Sequence, residues 1–129
     1  MSDVVLDASA LLALLRDEPG AAMVVDAIGS SRMSSVNYAE VISHFVRAGM
    51  PPDQVDAMLR PLPIEIVAAD RAHASIAGQL RGVTAAAGLS LGDRFCLALA
   101  RQDGLPALTA DRQWLQVAEA AGVTVTTIR

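Results

Sequence analysis

Short apolar runs alternate along the chain with longer stretches whose apolar positions recur at helical spacing. Val4 to Leu6 reads as a buried strand, and Ser9 to Arg16 as a helix stopped by Asp17-Glu18-Pro19-Gly20. Ala21 to Ile28 predicts a second short helix ending at Gly29. Arg32 to Ser34 is a short strand leading into a helix from Val36 to Ala48, which Gly49, Pro51 and Pro52 terminate. A helix from Asp53 to Arg60 and a strand from Ile64 to Ala68 follow. Asp70 to Ala87 predicts one long Ala-rich helix, and Ser90 to Gln102 another. Pro106 to Thr109 is a strand, Arg112 to Ala121 a helix, and Val123 to Ile128 a final β-branched strand.

Strands that alternate with helices predict a parallel sheet covered on both faces, in one domain spanning residues 1–129. There is no internal repeat, linker or low-complexity tract. Hydrophobic residues make up 53% of the chain but aromatics only 3%, so Ala, Val and Leu must build the core. No apolar stretch reaches bilayer-spanning length, and no basic segment precedes an apolar one as in a signal peptide. No membrane association is expected, and the lone Cys96 fits a reducing cytoplasm. All ten basic residues are arginines, and the net charge is −4. That balance argues mildly against general nucleic-acid binding, since phosphate attraction supplies most non-specific affinity.

Four acids change the picture. Asp7 follows the first strand, and Asp111 follows the fourth, where parallel α/β folds gather their ligands. Asp93 opens a helix, and Glu40 lies inside one. Each acid has a bland alternative. Asp7 is a good helix N-cap, although Ser9 serves equally well. Ser90-Leu91-Gly92-Asp93 has the form of a capping box, yet Asp93 also leads the inward stripe Cys96, Leu97, Ala100. Asp111 reads alone as a cap. Glu40 shares a polar face with Asn37, His44 and Arg47, opposite Val41, Ile42, Phe45 and Val46, which a solvated stripe explains. Together the four acids would repel one another unless a divalent cation neutralised them.

Val-Leu-Asp7-Ala-Ser9, Ser-Ser-Val-Asn37-Tyr-Ala-Glu40-Val, Leu-Ser-Leu-Gly-Asp93-Arg-Phe-Cys-Leu-Ala-Leu-Ala and Leu-Thr109-Ala-Asp111-Arg-Gln-Trp114 occur in that order. In these motifs the chain resembles the PIN-domain ribonucleases, and more narrowly the VapC-type toxins of bacterial toxin–antitoxin pairs. The resemblance implies a three-layer α/β/α fold with about five parallel strands and the acids at the carboxyl edge of the sheet. It also implies Mg²⁺ or Mn²⁺, endonucleolytic cleavage of RNA, a homodimer, and a VapB-type antitoxin in a heterotetramer or larger complex. Asp7, Glu40, Asp93 and Asp111 would be the catalytic metal-binding acids, with Ser9 and Thr109 as hydroxyls that orient them.

Hard oxygen ligands suit these two ions, and a water made more acidic by the ion could attack a phosphodiester in line. The rival from another class is a non-catalytic PIN-like module that binds RNA or protein, whose acids hold a structural ion or simply cap helices. Receiver domains and aspartyl-phosphate phosphatases resemble one another in needing a lysine, which the chain lacks, and no G-x-G-x-x-G follows the first strand. Cys96 and Trp114 are expected in the core, and His44 and His73 on helix surfaces. Arg94 has two expectations, a phosphate contact or a surface salt bridge. The excess of leucines at Leu11, Leu12, Leu14 and Leu15 fits either a buried helix or a partner surface.

Overall fold

The computed structural model describes residues 2–129. Five strands form one sheet: β1 (Val4–Leu6), β2 (Ser31–Ser34), β3 (Ile64–Val67), β4 (Ala107–Thr109) and β5 (Val125–Thr127). The order is β3-β2-β1-β4-β5, and every pairing is parallel. β1 is central and wholly buried, as a continuous apolar run predicts for a strand covered on both faces. Its alternation divides the core. Val5 joins Leu97, Leu99 and Trp114 on one side, while Val4 and Leu6 join Leu11, Met33 and Val41 on the other.

The helices are α1 (Ala8–Leu15), α2 (Ala21–Ile28), α3 (Ser35–Arg47), α4 (Pro52–Leu59), α5 (Arg71–Gln79), α6 (Arg81–Thr84), α7 (Leu91–Asp103) and α8 (Ala118–Ala121). The first four pack with the Leu6 side and α5 and α7 with the Val5 side, which makes three layers. Leu11 is fully buried on α1, and Leu12, Leu14 and Leu15 pack partly buried against the same cluster. α7 ends at Gly104, whose φ of 66° lets the chain reverse into β4. Because α7 runs back before β4, its first turn lies at the carboxyl edge of the sheet. No helix among the described residues is long and apolar enough to cross a membrane.

Two expected helices are broken. The stretch from Asp70 to Ala87 divides into α5, α6 and a 3₁₀ turn at Ala85–Ala87. Gly78 and Gly82 flank the break and weaken helix propagation, while the buried positions Leu80, Thr84 and Ala87 keep a helical spacing across it. The stretch from Arg112 to Ala121 begins as a 3₁₀ turn, Arg112–Gln116, before α8. Trp114 and Val117 are both buried three residues apart, and a 3₁₀ turn aligns that spacing.

Candidate active site

The sheet order reverses between β1 and β4, and a crevice at such a reversal gathers residues from the ends of both strands. Asp7 leaves β1 there and caps α1. Its Oδ1 accepts the Ala10 amide at 2.8 Å and its Oδ2 the Thr109 hydroxyl at 2.6 Å. The Ser9 hydroxyl lies 2.8 and 2.9 Å from the two oxygens. Ser9 and Thr109 in turn receive the amides of Ala110 and Asp111, at 2.9 and 3.1 Å. Two hydroxyls therefore tie the ends of β1 and β4 around one carboxylate.

Asp7 is only 3% exposed, and burial raises its pKa from an ordinary 3.8 to about 6 against the opposing effect of these hydrogen bonds. The negative charge of Asp93 pushes in the same direction. Burial also raises Glu40 and Asp93, with Asp93 acting on Glu40 and Asp111 acting on Asp93. The four acids thus share one electrostatic neighbourhood with Asp93 in the middle. Behind them the fully buried Cys96 thiol is pushed up by desolvation first and by Asp7, Asp93 and Glu40 after it. That makes Cys96 an inert core residue.

Asp93 and Ser90 form a reciprocal capping box, with the Ser90 amide donating to Asp93 at 2.9 Å and the Asp93 amide to Ser90 at 3.2 Å. Asp111 is exposed and caps the following turn by accepting the Gln113 amide at 2.9 Å. Glu40 reaches from α3 to the first turn of α7, where its carboxylate rests directly over Gly92. A Cβ on Gly92 would lie 2.3 Å from the nearer Glu40 oxygen.

Several polar residues sit elsewhere than expected. Asn37 is not on a solvated face but 1% exposed, and its amide donates to Glu40 Oε1 at 2.8 Å and to the Gly92 carbonyl at 2.9 Å. The signal was its spacing four residues before the buried Val41, which places both on the inward stripe. Arg94 is buried and donates to the Ala77 carbonyl at 3.0 Å, so it makes neither a surface salt bridge nor a contact open to phosphate. His73 is buried on the stripe His73, Ala77, Leu80, and Trp114 is wholly enclosed in the core. His44 stays partly exposed beside Arg16, 3.4 Å away. A groove of about 730 Å³ runs along α3 from Ser35 past Glu40 to Arg47.

The donors suit a hard divalent cation. Among the described residues no three acidic, His or Cys side chains close on one point as a finished metal cage. None of the four acids is paired with a cation there either. Three raised carboxylates without a counter-ion, beside a glycine that leaves space for one of them, have the chemistry that Mg²⁺ or Mn²⁺ satisfies.

Residues 4–120 match the PIN domain family. The chain is 34% identical over 115 residues to a VapC ribonuclease of Mycobacterium bovis, covering 81% of this chain and 88% of that one. Ribonuclease VapC42 of Mycobacterium tuberculosis matches to the same extent. Among solved structures, DNA-bound VapBC from Salmonella typhimurium superposes with a TM-score of 0.76 over 100% of both chains at 18% identity. A toxin–antitoxin complex from Klebsiella pneumoniae gives 0.74 over 98% of both at 19% identity.

Proposed function

The chain belongs to the PIN-domain family, and on that premise we propose that it is the toxin of a toxin–antitoxin pair, an endoribonuclease dependent on Mg²⁺ or Mn²⁺. The observation that carries this is a set of four acids at the carboxyl edge of the sheet with no cationic partner among the described residues, three of them driven toward protonation by burial and by one another. Asp7, Glu40 and Asp93 would hold the ion, with Asp111 beside Asp93. When bound, the ion would acidify water and offset charge building on phosphate oxygens.

The protein's own contribution is orientation. Ala10, Ser9 and Thr109 fix both oxygens of Asp7. The Ser90 amide fixes one oxygen of Asp93, and Asn37 fixes one of Glu40. Carboxylates held in this way need little rearrangement when a phosphodiester arrives. Ser43, His44 and Arg47 line the groove beyond Glu40 and would receive the flanking RNA. The relatives named VapC ribonuclease support RNA as substrate, and the neighbours solved as VapBC and toxin–antitoxin complexes support a VapB-type antitoxin as partner. A homodimer carrying that antitoxin in a heterotetramer or larger, acting in the cytoplasm as a single domain over 1–129, completes the proposal.

A second reading rests on the caps. Asp7, Asp93 and Asp111 each satisfy a helix or turn N-terminus, as they would in a non-catalytic module that binds RNA or protein. Incubating the purified chain with an RNA panel and Mn²⁺ or Mg²⁺, beside EDTA and Asp7→Asn controls, separates the two. Cleavage lost in both controls is expected. A folded wild type that binds RNA but leaves the panel intact under every metal condition would favour the binding module.

A further inference from the structure

We propose that Asn37 and Gly92 form a latch that positions Glu40 for the metal, so that one carboxylate on α3 is delivered to the first turn of α7 beside Asp93. This rests on the metal-dependent reading above and adds two residues to it. Asn37 is wholly buried between the helices, and its amide nitrogen donates both to Glu40 Oε1 and to the Gly92 carbonyl. One NH₂ group therefore bridges the side chain to be positioned and the backbone against which it is positioned. Gly92 supplies the other half. The Glu40 carboxyl carbon would stand 2.5 Å from a Cβ at position 92, closer than real Cβ contacts allow, so only glycine lets the carboxylate lie there. Apart from its carboxylate, packed over Gly92, Glu40 lies on an exposed face of α3. Without the latch it would spread over several rotamers and lose that freedom again on binding an ion.

Groups that orient metal ligands typically contribute about 10–100-fold in metal affinity. The two halves of the latch differ in a useful way. The atoms nearest a methyl at position 92 all belong to the flexible tip of Glu40, so Gly92→Ala should fold and displace the carboxylate. Asn37→Ala removes the donor and leaves the space at Gly92 intact.

Both variants, and each combined with Glu40→Ala, should be titrated with Mn²⁺ alone by electron paramagnetic resonance, with melting in EDTA as the folding control. The expected result is Mn²⁺ affinity weakened by about tenfold or more in each single variant, and no further weakening when either is added to Glu40→Ala. Unchanged affinity in Gly92→Ala and Asn37→Ala would overturn the latch while leaving the metal site standing. Weakening that persists in full in the Glu40→Ala background would also overturn it, because the residues would then act independently of Glu40. Failure of Gly92→Ala to fold would refute the premise that moving the Glu40 tip makes room for a Cβ there, leaving Asn37→Ala to decide its own half. A folded wild type that binds no Mn²⁺ would overturn the metal reading and the latch together.

Discussion

Replacing Asp7 by asparagine should make the metal-free protein more stable at neutral pH while abolishing cleavage. The carboxylate is 3% exposed and carries a pKa raised from 3.8 to about 6, chiefly by desolvation. At 1.36 kcal/mol per tenfold change in proton affinity, the ionised form is disfavoured in the native state by about 3 kcal/mol. A raised carboxyl means that the native protein holds more protons than the unfolded chain between pH 3.8 and about 6. The contribution of Asp7 to stability is therefore fully present below pH 3.8 and is lost as pH rises through about 6.

An asparagine amide carries no such charge and keeps an oxygen acceptor for the Ala10 amide. Its gain should be smaller than the full figure, on the order of 1–3 kcal/mol at pH 7.5, because the charged hydrogen bonds from Ser9 and Thr109 weaken. Urea unfolding in EDTA at pH 3.5 and 7.5 measures both ends of the window. The variant should be favoured at pH 7.5, the advantage should vanish at pH 3.5, and Mg²⁺ should restore the wild type by neutralising the charge. A variant less stable than wild type by the same amount at both pH values would refute the reasoning, since hydrogen bonding rather than buried charge would then dominate.

Thr109→Val keeps the shape but removes a donor that lowers the Asp7 pKa and leaves the Asp111 amide without its acceptor; the Asp7 titration, followed by carboxyl NMR, should move above about 6. Asp93→Asn should retain the cap through its amide oxygen, leave far-UV circular dichroism unchanged and slow RNA cleavage more than tenfold, about 1.4 kcal/mol or more in barrier. Leu97→Ala, at a fully buried position on the α7 side of the sheet, should lower urea-measured stability by about 2–5 kcal/mol with Mn²⁺ affinity of the folded fraction unchanged.

The centre of the sheet was legible because β1 is apolar throughout and both β1 and β4 are short runs bounded by turn residues. Val4–Leu6 and Ala107–Thr109 are buried at every position, and period and punctuation suffice for such strands. The two broken helices were not legible, because composition and apolar spacing both favour a continuous helix through residues 70–87. His73, Ala77, Leu80, Thr84 and Ala87 are all buried at helical spacing, so the apolar pattern runs on through the break that Gly78 and Gly82 permit. Buried polar residues were misread for a related reason. Asn37 and Arg94 are placed by partners distant in sequence, Gly92 and Ala77, and a helical wheel scored on polarity sends such residues, like the buried His73, outward.

Capping and metal binding stood as alternatives for Asp7, Asp93 and Asp111 when only the sequence was considered. In the fold they are compatible. A cap hydrogen bond occupies part of a carboxylate, and the oxygen lone pairs left over are held in a fixed direction at the edge where β1 and β4 end. The backbone amides that stabilise the helix N-termini also restrain the acids. Their restraint does not offset burial and the smaller repulsion among the acids, since three of the four keep a raised proton affinity despite those hydrogen bonds. Substitution by alanine would remove cap and charge together and could not distinguish the two roles. Substitution by asparagine keeps an acceptor and deletes the charge, so a folded, uncut-RNA phenotype in the asparagine variants assigns the effect to charge alone.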